Sequence, residues 1–165
     1  MITLPEPPRL IEPTTRLQTS YLLAEQADAI ARDLPTDRFA EMSANFDAFV
    51  AGRTGVQRKW GVPYTQYWYA SGEYYLGTLV LRHELTPELL DAGGHIGYHV
   101  PLVWCRQGHA TRMLAAGLTM ARGLGLDRVL LTCDPGNVAS RKVILANGGV
   151  FDGNRTGEDR FWIEL

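Results

Sequence analysis

The sequence predicts one α+β domain, a mixed and mostly antiparallel sheet flanked by about four helices. Three observations predict it. Two runs, Thr65–Tyr69 and Tyr74–Leu81, are rich in β-branched and aromatic residues and are split by the turn Ser71-Gly72-Glu73, the pattern of a hairpin. Further on, Ile96, Tyr98 and Val100 alternate with His95, Gly97 and His99, after which Ala110, Met113, Leu114, Leu118 and Ala121 recur at helical steps. The chain closes on a buried strand, a helix and two more strands. At 165 residues and 45% hydrophobic, it has room for a single core.

The first eight residues hold three prolines and read as extended chain. Arg9–Glu12 is a short strand stopped by Pro13. Thr14 or Thr15 caps a helix carrying Leu17, Tyr21, Leu22, Ala24, Ala27 and Ile30 at helical spacing. Pro35 ends that segment, and Thr36 starts a second helix on Phe39, Met42, Phe46 and Phe49-Val50, closed by Gly52 and Gly55. Arg53 to Pro63 reads as a polar loop. After the hairpin, Thr86-Pro87 suits a single helical turn, with Thr as cap and Pro at the first position. Gly123 and Gly125 stop the long helix. Asp127–Thr132 is a buried strand leading to a helix that begins at Asn137 and stops at Asn147-Gly148. Gly149–Phe151 and Asp159–Leu165 are the last strands, with Arg155-Thr156-Gly157 between them.

The net charge of −2 and a pI near 6.1 give no reason to expect nucleic acid or an anionic membrane as partner. No apolar run approaches the ~20 residues of a membrane span, and the prolines with Glu6 do not make a signal peptide. Cys105 and Cys133 form neither a disulfide framework nor a metal spacing. Two free thiols, a cytoplasmic location and no metal are the expectation.

The most informative stretch is His95–Thr111, HIGYHVPLVWCRQGHAT. A strand running through a Gly-containing loop into a helix can bind phosphate. The first helical turn exposes unpartnered N–H groups, the helix dipole adds about half a positive charge, and Gly108 lets an anion approach the backbone. Arg106 and Arg112 flank it. No G-x-G-x-x-G or Gly-Lys-Ser/Thr is present, which disfavours dinucleotides and nucleoside triphosphates.

Cys105-Arg106-Gln107-Gly108-His109-Ala110 resembles the acyl-CoA loop Q/R-x-x-G-x-G/A of the GCN5-related N-acetyltransferases, with Cys105 at a position usually held by Gln or Arg. Leu130–Asp134, Asn137–Lys142 and Asn147-Gly148-Gly149 resemble the next strand and helix of that family. Leu81–Leu85 and Gly93–Tyr98 resemble one branch of predicted bacterial acetyltransferases. Together these cover about the last hundred residues.

The resemblance implies the same fold, acetyl-CoA as cosubstrate and acetyl transfer to the primary amine of a small molecule or peptide. It implies a pyrophosphate cradle in the backbone of Arg106, Gln107, Gly108, His109, Ala110 and Thr111, adjoining Cys105. It implies pantetheine pairing at Val100, and CoA contacts at Asn137 and Arg141. Asn137 is equally a helix cap, and Arg141 and Lys142 could simply face water.

Many relatives place a proton-donating Tyr seven residues after that Asn; here stands Ile144, so that role is vacant, a tolerable loss for a thiol leaving group of pKa about 8.5, and Ser140 or Tyr98 could substitute. His95 occupies a place where some relatives carry a Glu, and an imidazole can act as base near neutrality. A structural role for His95 is the competing reading, with His83 and Glu84 as alternative bases. Tyr67, Trp68 and Tyr69 divide between core and acceptor pocket. A homodimer is common among relatives. The alternative function is a CoA-binding or regulatory module that kept the fold without catalysis.

Overall fold

A computed structural model describes residues 2–165. β1 (Arg9–Ile11) leads through a 3-10 turn, Thr15–Leu17, into α1 (Gln18–Ala31). Thr14 caps that turn, its Oγ1 accepting from Arg16 N at 3.3 Å. The second helix expected from Thr36 is two helices, α2 (Arg38–Ala44) and α3 (Phe46–Ala51). Asn45 breaks it at φ −127°, a residue whose side chain competes for backbone partners. The break lets Phe46 pack beside Tyr21 and Trp68.

β2 (Val56–Lys59) and β3 (Val62–Ser71) form a hairpin where a polar loop was expected. Trp60 and Gly61 make its tip at φ 56° and 77°, matching the twist of the flanking strands. Only Val56 of β2 is apolar, so hydrophobic patterning cannot reveal this edge strand. β4 (Tyr74–Arg82) returns along β3, with a bulge at Tyr69/Ala70. α4 (Pro87–Asp91) is the expected single turn, capped by Thr86 Oγ1 accepting from Leu89 N at 3.2 Å.

β5 (Ile96–His99) is followed by a 3-10 turn, Leu102–Trp104, and then by α5 (His109–Gly123). β6 (Arg128–Cys133), α6 (Val138–Ala146), β7 (Val150–Arg155) and β8 (Glu158–Glu164) complete the chain. The mostly antiparallel sheet is present in two pieces, ordered β1-β3-β4-β5, with β2 also on β3, and β6-β8-β7. Every ladder is antiparallel. Six α-helices, rather than about four, flank them among the described residues, because of the Asn45 break and the short α4.

Side-chain alternation along β3 separates two cores. Tyr69 joins Leu79, Leu81, Ile96, Met113 and Leu114 on the α5 face. Its neighbours Trp68 and Ala70 join Leu17, Ala24, Phe46 and Tyr75 on the α1 face. Leu79, Met113 and Leu114 are fully buried, each stabilising the fold by about 2 kcal/mol. Among the described residues, no helix is long and apolar enough to cross a membrane.

Candidate active site

The two sheets meet at one point and then part. His95 N donates to Leu130 O at 2.7 Å, and Leu130 N donates to His95 Nδ1 at 2.9 Å. Beyond this pin β5 has a ladder with β4 alone, so its other edge faces a gap toward β6. A cleft of about 300 Å³ occupies the gap, walled by Ile96, Gly97 and Tyr98 on one side and by Thr132, Cys133 and Ser140 on the other. Strand edges that diverge leave main-chain groups able to pair with an extended ligand.

The entrance of α5, the helix that follows β5 in the chain, has the features that receive an anion. Arg106 and Gly108 both hold positive φ, 62° and 79°, on either side of Gln107, a backbone that turns successive N–H groups toward one side. The first N–H bonded back into the helix is that of Arg112, which donates to Gly108 O at 3.2 Å. No side chain caps α5, so the N–H groups of its first turn remain available. A Cβ on Gly108 would lie 2.7 Å from Arg112 Nη1. That guanidinium is itself held by Gln107 O at 2.9 Å. Such a backbone has N–H groups with which to hold a pyrophosphate, the ligand expected at Arg106 to Thr111.

Several expected side-chain roles change. The His109 ring is buried against Trp104 and Tyr69, so only its main chain can serve the loop. Cys105 Sγ donates to Val100 O at 3.4 Å, taking the carbonyl expected to meet pantetheine. Arg141 is paired with Asp159 at 3.4 Å and lies over Phe161, so a CoA phosphate would compete with that carboxylate for it. Asn137 is the cap of α6, its Oδ1 accepting from Ser140 N at 3.1 Å, and it also lines the cleft. Ile144 is fully buried in the core and has no proton to donate.

His95 is likewise corrected as a base. It is buried, and its Nδ1 lone pair accepts from Leu130 N, which places the proton of the neutral ring on Nε2. Burial, reinforced by Arg128 and Arg82, pushes its pKa down to about 4. No lone pair is left for an amine. His83 is also engaged, its Nε2 2.8 Å from Thr65 Oγ1. Trp68 and Tyr69 are core, while Tyr67 is half-buried.

Tyr98 and Ser140, by contrast, meet across the gap, with Tyr98 Oη 2.7 Å from Ser140 Oγ. Burial raises the Tyr98 pKa, and its hydrogen bond to Ser140 lowers it in part. Both hydroxyls are therefore protonated near neutrality. Asp134 and Glu158 line the cleft together with Arg82. Asp134 Oδ1 accepts from Gly136 N at 2.7 Å. Glu158, one residue ahead of the expected last strand, has no side-chain partner among the described residues. The Cys133 thiol is pushed up by burial, with Asp159 and Glu158 adding to the shift.

A family model described as an acetyltransferase (GNAT) domain matches residues 21–150. RimJ of Mycobacterium smegmatis, solved in complex with CoA-disulfide, superposes with a TM-score of 0.67 at 19% identity, over 97% of this chain and 86% of that one. The microcin C7 self-immunity acetyltransferase MccE, with acetyl-CoA and AMP, gives 0.66 at 12% identity, over 96% and 92%. A Salmonella typhimurium acetyltransferase that modifies the N-terminal serine of ribosomal protein L7/L12 gives 0.62 at 17%, over 94% of each chain. No curated protein matches the sequence significantly.

A helix entrance able to hold an anion and a split between neighbouring strands are compatible with an acyl-CoA-dependent transferase, and the family model assigns that class. The chain belongs to the GNAT acetyltransferase family, and its cosubstrate is acetyl-CoA.

Proposed function

We propose that the chain moves the acetyl group of acetyl-CoA to a primary amine of a small molecule or peptide by direct attack. The observation that carries this reading is the gap between β5 and β6 with the Tyr98–Ser140 pair in its wall, together with the uncapped start of α5, the helix that follows β5 in the chain. Backbone N–H groups from Arg106 to Thr111 hold the pyrophosphate, and the free edge of β5 steers the thioester toward Tyr98. The bound cosubstrate supplies an activated acetyl group and a thiolate leaving group.

The protein supplies proton transfers and positioning. Glu158 is the group in the cleft able to accept a proton from an incoming ammonium, directly or through water, because its carboxylate is otherwise uncommitted. Ser140, backed by Tyr98, donates a proton to the departing sulfur. Cys133 is disfavoured as a covalent relay, since burial keeps its thiol protonated. The neighbour that modifies an N-terminal serine supports including peptide amines among the acceptors.

Thiol release from acetyl-CoA over a panel of polyamines, amino sugars, amino acids and peptides tests the reading. Glu158→Gln and Ser140→Ala should each lower kcat by about 10²-fold or more while acetyl-CoA binding is retained. Binding without acetylation of any amine would favour a CoA-binding module that has lost catalysis.

A further inference from the structure

Arg82 is the last residue of β4 and stands at the end of the cleft away from the α5 loop. Its Nη1 donates to Gly93 O and Gly94 O, both at 3.1 Å. Its guanidinium lies 4.2 Å from the Trp60 ring centroid. The Nε–H is buried without a partner. Among the described residues Nη2 has no acceptor, and no carboxylate forms an ion pair with this side chain. Burial lowers its pKa from the ordinary arginine value, yet arginine keeps its charge in proteins. A half-buried cation with no counter-ion is costly unless something completes it. Nη2 is the guanidinium nitrogen left for a carboxylate, and such a charge-assisted hydrogen bond is among the strong ones.

The surroundings specify what completes it. Trp60 holds φ 56° at a hairpin tip, an uncommon backbone for so bulky a residue and a reason to look for function. Beyond Arg82 and Gly93 lies a second cavity of about 570 Å³, walled by Trp60, Leu89 and Glu88. Arg82 therefore separates the cleft of Tyr98, Ser140 and Glu158 from a space large enough for the body of an acceptor.

Building on the acetyltransferase reading above, we infer that Arg82 anchors the carboxylate of the acceptor, an amine that itself carries a carboxylate, with its amino group beside Glu158. A free amino acid and a peptide with an acidic first residue share this chemistry. A dianionic phosphate fits less well, because Glu158 and Asp134 line the cleft and Glu88 lines the second cavity, none of them paired with Arg82. A zwitterion meets charges of both signs.

The test compares the proteinogenic amino acids with their α-carboxamides, and peptides beginning with Asp or Glu with those beginning with Asn or Gln. The readouts are thiol release and, separately, acetyl-CoA binding by calorimetry. At least one carboxylate-bearing amine should exceed its amide in kcat/KM by about tenfold or more, the worth of a charged hydrogen bond. The chemical pair that shows the preference distinguishes the free amino acid from the peptide. Arg82→Gln should reduce the preference to about twofold or less with acetyl-CoA affinity unchanged, and Arg82→Lys should restore part of it. Should Arg82→Gln not fold, the acid-to-amide ratio of the unaltered enzyme decides alone. Amides that react as well as acids, or acetyl-CoA binding with no acid acetylated, would overturn the role of Arg82. Absence of acetyl-CoA binding would instead overturn the acetyltransferase reading beneath it.

Discussion

Replacing His95 with Asn should remove an acid-sensitive component of stability and leave catalysis standing. His95 is 6% exposed and pins β5 to β6 through Leu130 N. Its native pKa of about 4 lies below the 6.5 of an unperturbed imidazole. Between those values the unfolded chain holds a proton that the native ring refuses, so stability rises with pH across the interval. Falling from pH 7 to pH 4 therefore removes about 3 kcal/mol attributable to this residue. Asn offers an Oδ1 where Nδ1 stood, so Leu130 N keeps an acceptor while the titration disappears. Urea unfolding of both proteins at a series of pH values measures the effect. The advantage of the native protein over the variant should shrink by about 3 kcal/mol as the pH falls, on top of a pH-independent packing loss beside Trp162. Parallel profiles would refute the reasoning. So would a variant that binds acetyl-CoA normally but transfers no acetyl group at pH 7.5, since that would return His95 to the role of base.

Other perturbations probe the remaining parts of the site. Gly108→Glu places a Cβ against Arg112 and an acid in the cradle, so acetyl-CoA affinity by calorimetry should fall by about 100-fold or more; unchanged affinity would remove the loop from the site. His99 is hydrogen-bonded to Glu25 and lies 3.6 Å from Asp28, and its pKa is raised first by the Glu25 bond, against burial. Its contribution to stability is thus complete below about pH 6.5 and fades as the pH rises through the raised value. The native protein should lose its advantage over His99→Gln in that upward direction, and a loss toward acid would contradict the ion-pair assignment. Cys133 lines the cleft. CoA disulfide should transfer one CoA unit to it, releasing the other as thiol, and faster as pH rises because burial holds the thiol protonated. Mass spectrometry should find the adduct in the native protein and in Cys105→Ser, but not in Cys133→Ser, and acetyl-CoA should suppress it.

Periodicity revealed the elements with strong alternation or a clear cap: β4, α5 with its apolar face, and α4 behind Thr86-Pro87. It failed where tertiary context decided. β2 is an edge strand with polar residues at Gln57, Arg58 and Lys59, stabilised by β3 rather than by its own pattern. Asn45 divides a helical run because Phe46 finds a better place in the core. In the site, the loop at Gly108 was legible because backbone chemistry depends on glycine and helix position. The Tyr98–Ser140 pair was named residue by residue, but that the two hydroxyls touch could not be read from positions forty-two apart. His95 was misread because its motif position says nothing about which nitrogen is already engaged. Arg82, Glu158 and Trp60 were missed for a related reason. Each stands at a strand end or turn, and only folding brings them to two cavities that share Arg82.

A crystal structure of the protein with CoA tests the central claim most directly. The account predicts pyrophosphate oxygens about 3 Å from the main-chain nitrogens between Gly108 and Thr111, with the sulfur in the gap between β5 and β6, beside Tyr98, Ser140 and Cys133. CoA bound on any other face, or a sulfur pointing away from that gap, would contradict it.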